Sequence, residues 1–289
     1  MNILAQITSF DPVVTPAARV PRHSREEEHD GGPCTFASRL AGLIPLTLQD
    51  LAAIDGLIGY ARPVERHTML LDQGCVADHA LVILDGFACR HKRRMSGRRQ
   101  IVSFLLPGDH CDRGAVHAYP LDHAIETLTQ CRVAKIPRAT YLDLLGQHPR
   151  LALALQRAKL VEEAMAREWI ASLGMRSSIE RMAHLLCELM ERLGSIGQAS
   201  DGHYDLPLTQ VDLADALGLS SVHVNRSIQF LRRDGLIALN RRHLQILAPR
   251  RLYELAEFEA AYLSHSPLGT GLPTGGPVAP YEPGHRAYS

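Results

Sequence analysis

Aromatic residues make up only 5% of the 289-residue chain, with a single tryptophan, so its cores must be built mainly from Leu, Ala, Val and Ile. No run of about 18 apolar residues occurs, the length a helix needs to cross a bilayer, so no membrane span is expected. The N-terminal stretch MNILAQITSFDPVV lacks a basic segment followed by an apolar one, so no signal peptide is expected either. Cysteine is sparse: Cys34, Cys75, Cys89, Cys111, Cys131 and Cys187 are scattered and none forms a CxxC. That argues against a disulfide scaffold and against common zinc spacings, and it points to a reducing cytoplasm. There is no His-x-His, no phosphate-binding glycine loop and no nucleophile–base–acid set, so the chain reads as a non-enzyme with no cofactor and no metal. Net charge is also absent, with 31 basic and 31 acidic residues.

That neutrality hides local asymmetry. From Leu206 to Arg251 there are seven Arg and three Asp, a balance of +4, and residues 90–99 (RHKRRMSGRR) hold six Lys or Arg with no acid. A local basic surface suits a polyanion, although a charged, solvated face gives the same signal. Residues 1–35 and 263–289, rich in Pro and Gly and without periodicity, read as a disordered extension and a disordered tail.

Between them the pattern changes twice. A short amphipathic helix over 47–59, with Thr47 as its cap, is followed by apolar runs broken at Asp85-Gly86, Ser96-Gly97 and Pro107-Gly108-Asp109. Short strands at that spacing predict an antiparallel roll over 36–147, with RRMSGRRQ as a hairpin tip. A helix over 148–174 then runs from Pro149 to Gly174 without a breaker. Ala154, Ala158, Val161, Met165 and Trp169 form one stripe along it, and Leu153, Leu160 and Ala164 a second. A helix apolar on two sides can pack on its own domain and on a partner, and the first stripe is the expected homodimer seam.

Residues 175–262 read as a winged helix–turn–helix. Thr209 can cap one helix, Gly218 permits the sharp turn, and Ser220 can cap a second helix over 221–233. Two apolar runs flanking Asn240-Arg241-Arg242 make the wing. Ser227 stands where an aliphatic core residue is expected. Ser221, Val222, Asn225 and Arg226 then face outward as base contacts, since Arg pairs with guanine and Asn with adenine. Thr209, Ser220, His223, Arg232, Arg233, Arg241 and Arg242 are placed for phosphates. The fold class is therefore α+β: antiparallel β-roll, long helix and C-terminal winged helix–turn–helix.

The stretches ALVILDGFACRHKRRMSGRRQIVSFLLPGD and LPLTQVDLADALGLSSVHVNRSIQFLRRDGLI, in this order around a long helix, resemble the Crp/Fnr family of bacterial transcription regulators over residues 36–250. The resemblance implies a cyclic-nucleotide-binding-like roll, a homodimer joined along the long helix, a palindromic duplex operator, and recruitment or blocking of RNA polymerase. Two departures matter. Val222 stands where much of the family has a Glu that helps set the target, while Arg226 matches the family's arginine. Only Cys34 lies where iron–sulfur members carry a cysteine cluster. The resemblance also locates an effector pocket at Asp112, Arg113, Asp122 and His123. There the family's nucleotide-binding members have Gly-Glu and Arg with a small hydroxyl residue, so a response to cyclic AMP is not expected. The roll's effector is left open. It could sense a ligand, a metal, or redox state through Cys111, which has Asp109, Asp112 and Arg113 nearby. A cupin-like metalloenzyme would need clustered histidines, whereas His67, His79, His91, His110, His117 and His123 are scattered.

Overall fold

The computed structural model of the protein describes residues 34–111 and 113–263, the Arg113 side chain excepted. The two termini read as disordered from the sequence, residues 1–33 and 264–289, lie outside the described residues, as does Asp112.

Two helices lead in. In α1 (Thr35–Ala41) the backbone N–H of Ala37 donates to Cys34 Sγ at the cap. The second, α2 (Leu48–Ile58), starts in a capping box between Thr47 and Asp50. Such boxes satisfy two otherwise orphaned backbone donors at a helix start.

Eight strands follow: β1 (Ala61–Val64), β2 (Met69–Leu71), β3 (His79–Asp85), β4 (Ala88–Arg93), β5 (Arg99–Leu105), β6 (His110–Cys111), β7 (Ala124–Thr127) and β8 (Cys131–Pro137). They form two antiparallel four-stranded sheets, ordered β1-β8-β3-β6 and β2-β7-β4-β5. Leu81, Ile83, Ala88, Leu105, Ile125 and Val133 fill the space between them. The turn at Gly86 (φ +81) is closed so tightly that a Cβ there would lie 2.3 Å from the Gln130 carbonyl oxygen, so only glycine fits. A short helix, α3 (Arg113–His117), sits between β6 and β7.

The roll ends in α4 (Arg138–Gln147), and α5 (Pro149–Met175) begins two residues later with proline in its first turn. Its 27 residues span about 40 Å. The DNA-reader half comprises α6 (Ser178–Gly194), β9 (Ala199–Ser200), β10 (His203–Asp205), α7 (Gln210–Leu217), α8 (Ser221–Arg233), β11 (Ile237–Asn240), β12 (His243–Ile246) and α9 (Pro249–Ala256), then a 3-10 turn, Ala260–Leu263. Its sheet runs β11-β12-β10-β9, so the wing is part of four strands rather than a lone hairpin. No helix among the described residues is long and apolar enough to cross a membrane.

One core runs through both halves. Phe104, Leu106 and Leu128 of the roll join Met182, Leu186, Leu189, Val224, Leu231 and Leu252 of the reader in a single buried cluster. The hairpin β4–β5 reaches the reader directly. Arg99 pairs with Asp212 and with Asp215 on α7, each at 2.8 Å, and Gln100 Nε2 donates to the Ala216 carbonyl at 3.1 Å.

The expected dimer seam needs correction. Ala154 and Met165 are buried in the chain's own interior, and Ala158, Val161 and Trp169 are half-buried, with Ala158 packed on the core shared by α1, α2, α4 and α5. Trp169 meets Phe104 edge-on, ring centres 5.7 Å apart. The face of α5 left open is the other one, with Leu153 43%, Leu160 46% and Ile170 70% exposed. Periodicity establishes which residues share a face; it does not say which face the chain itself covers. The small residues of the first stripe let the roll approach the helix closely.

Candidate nucleic-acid interface and sensor cavity

The reader is set by local capping. Thr209 Oγ1 accepts from the Asp212 N–H at 3.1 Å, and Asp212 Oδ2 accepts from the Thr209 N–H at 3.0 Å. Gly218 adopts the left-handed conformation (φ 63, ψ 33) that ends α7. A Cβ there would lie 3.3 Å from Leu173 Cδ2, which ties the turn to the end of α5. Ser220 caps α8, accepting from the His223 N–H, and its hydroxyl lies 2.8 Å from His223 Nδ1.

Val224, Ser227, Ile228 and Leu231 are the buried face of α8. Ser221, Val222, His223, Asn225 and Arg226 are all exposed on the other side, with Val222 at 59%. Arg232 and Arg233 at the end of α8 are exposed too, as are Arg241 and Arg242 at the wing tip. Arg241 takes a positive φ of 55 in that two-residue turn. The arrangement offers donors and a methyl-bearing side chain to base edges, flanked on two sides by cations for phosphates. Thr209 and Ser220 are exposed but their hydroxyls already serve as caps.

Ser227 confirms the anomaly in the sequence. It is 1% exposed and its hydroxyl has no hydrogen-bond partner.

The basic hairpin is less of a free surface than its charges suggest. Arg90 is buried and ion-paired to Glu162 at 2.7 Å, and Arg99 is committed to α7 and to Glu126. Sequence reading missed both partnerships, since the partners lie far along the chain.

A cavity of about 240 Å³ lies between the roll and α5, with Arg90, His110, Cys111, Asp122, His123 and Trp169 in its walls. Of the expected effector-pocket residues it brings together Asp122 and His123; Asp112 and the Arg113 side chain lie outside the described residues. Hydrogen bonds from His123 and from Lys92 hold the Asp122 carboxyl down at about 2. Burial pushes the Cys111 thiol up to about 11, against the pull of Arg90 Nη2 at 3.2 Å, so near neutral pH it is a thiol and a poor nucleophile. Among the described residues no group of three or more His, Cys, Asp or Glu could hold a metal ion.

Sequence reading also missed the last turn of the reader. Glu188, fully buried on α6, accepts from Trp169 Nε1 at 2.9 Å and from the Tyr262 hydroxyl at 3.2 Å, and pairs with Arg192 at 3.2 Å. Tyr262 stacks on His184. The available signal was Pro249 followed by Leu252 and Ala256, a short amphipathic helix start.

Two family models match this chain: a cyclic nucleotide-binding domain over residues 61–148 and a Crp-like helix-turn-helix domain over residues 180–255. Among curated relatives, the nitrogen fixation regulation protein FixK of Bradyrhizobium diazoefficiens is 35% identical over 176 residues, 60% of this chain and 72% of that protein. The transcriptional activator protein FnrL of Cereibacter sphaeroides is 30% identical over 232 residues, 79% of this chain and 92% of that one. The solved structure of FixK2 from Bradyrhizobium japonicum shares the fold, with a TM-score of 0.61 at 24% identity over 68% of this chain and 96% of that one. These relatives are regulators of transcription, not enzymes. With its roll, long helix and winged helix–turn–helix, and with relatives matched over most of their length, the chain belongs to the Crp/Fnr family of DNA-binding transcriptional regulators.

Proposed function

We propose that the protein works in the cytoplasm as a homodimer that reads a palindromic operator through α8 and acts on RNA polymerase. The observation that carries this reading is the outer face of α8. Ser221, Val222, Asn225 and Arg226 stand exposed together, framed by Arg232, Arg233, Arg241 and Arg242, while the opposite face is buried. The exposed stripe Leu153, Leu160 and Ile170 on α5 supports pairing of two copies along that helix. Val222 replaces a charged reader with an aliphatic one, which favours contact with a thymine methyl group. Arg226→Ala is expected to cost about 1–3 kcal/mol and to relax preference at one base pair. Arg242→Ala is expected to weaken all duplexes alike and to reduce the salt slope. Titrations of both variants against matched and mutated operators check this; an Arg226→Ala protein unchanged in affinity and preference refutes the reader assignment.

The roll does not answer to cyclic AMP or cyclic GMP. Arg90, the buried cation of the sensor cavity, is already neutralised by Glu162, and the Asp122 carboxylate stands in the wall where an anionic phosphate would have to be received. Facing a like charge and lacking a free guanidinium each cost on the order of 2–5 kcal/mol in a desolvated site. Calorimetric titration with both nucleotides is expected to show no binding at about 10 μM; tighter binding overturns this part of the reading.

A further inference from the structure

Behind Arg90, on the side away from the sensor cavity, lies a second cavity of about 230 Å³. It is enclosed by α1, α5, α6 and the 3-10 turn at Ala260–Leu263. Leu43, Leu105, Ala158, Val161, Met165 and Leu263 give it apolar walls, and Arg39, Arg90 and Arg192 line it with Asp109, Glu162 and Glu191. We propose that this hinge cavity is a binding site for a small amphiphilic carboxylate, its head on Arg39 and its tail against α5.

The sign of the ligand follows from which charges are spent. Asp109 is shared between Arg39 at 2.8 Å and Arg192 at 2.7 Å. Glu162 is paired with Arg90 at 2.7 Å, and Glu191 accepts from the Tyr253 hydroxyl at 2.5 Å. A cationic ligand therefore meets no free carboxylate. The guanidiniums are not spent in the same way. Nε and Nη2 of Arg39 both go to Asp109 Oδ1, and its Nη1 has no partner among the described residues. Beside it Arg192 Nε is buried without a hydrogen bond. Two guanidiniums sharing one carboxylate favour an added anion, and an Arg fork suits a carboxylate. Burial and the neighbouring Arg192 both pull the Arg39 guanidinium below its ordinary value, the direction expected where cations crowd.

Size follows from volume. An engineered apolar cavity of about 150 Å³ holds benzene, so about 230 Å³ admits roughly nine or ten heavy atoms. Octanoate has that size, and octanamide matches its shape without its charge. The placement at the junction of α5, α6 and the C-terminal turn means that filling the cavity bears on the segment that sets α6 against the long helix.

Calorimetry on the full-length protein with sodium octanoate tests the site. The expected result is a dissociation constant below about 1 mM, at least tenfold weaker for octanamide and for Arg39→Met. Ala158→Phe should abolish binding by filling the cavity, and Leu43→Trp, which enters from the opposite wall, gives the same readout if the first variant does not fold. Ala166→Leu, which narrows only the sensor cavity, should leave binding unchanged. No heat with the wild-type protein overturns the proposal, as do equal affinity for octanamide or binding that survives Ala158→Phe and is lost in Ala166→Leu.

Discussion

Arg226 and Ser227 are neighbours on α8 with opposite fates. Arg226 is exposed and free for a guanine edge, while Ser227 is turned into the core with its hydroxyl unpaired. An unpaired buried hydroxyl carries a desolvation cost of about 1–3 kcal/mol that no bond returns. Ser227→Ala removes the hydroxyl and adds helix propensity, so it should raise the stability of the folded protein by about 1 kcal/mol, read as a shift in the denaturant midpoint at constant slope. A fall in stability would mean that the hydroxyl has a partner in solution. The anomaly was visible in the sequence because helical periodicity alone assigns position 227 to the buried face. The partners of Arg99 were not visible, because Asp212 and Asp215 lie more than a hundred residues further on and nothing local in RRMSGRRQ distinguishes an ion-paired arginine from a solvated one.

Among the elements, those whose ends are set by nearby residues were the legible ones. Thr47, Thr209, Gly218 and Ser220 each act within a turn of their own position, so the sequence places α2, α7 and α8 to within a residue of where the structure has them. The short strands β9 and β10 escape such reading, since two or three residues carry no usable period. The long helix shows the limit most clearly. Its extent was readable from Pro149 to Gly174, but the choice between two apolar stripes depends on where the roll docks. With Leu153, Leu160 and Ile170 outward, Leu160→Glu should place like charges across a two-fold seam and bury them without partners, at several kcal/mol per ion. Sedimentation is expected to show monomers and operator binding to be lost together. Ala154 lies in the chain's own core, so Ala154→Glu should instead unfold the protein; a dimeric Leu160→Glu variant would move the interface off this face.

At the scale of the molecule, the roll and the reader are one packed body rather than two beads on a helix. Phe104 and Trp169 join the reader's core, Arg99 fixes α7 to the β4–β5 hairpin, and Arg192 reaches back from α6 to Asp109 and to the Phe104 carbonyl. Whatever moves β4, β5 or α5 is therefore transmitted to α7 and α8 without a free linker between them. That coupling gives the sensor cavity and the hinge cavity a route to DNA binding. The account rests on two copies presenting α8 to two half-sites. Selection of bound duplexes from a random library by the full-length protein, with the footprint mapped on the winners, tests it most directly. The expected product is an inverted repeat with half-site centres about one helical turn apart, roughly 34–36 Å, protected on one face of the duplex. Recovery of a single unrepeated half-site, or no enrichment above the starting library, would contradict it.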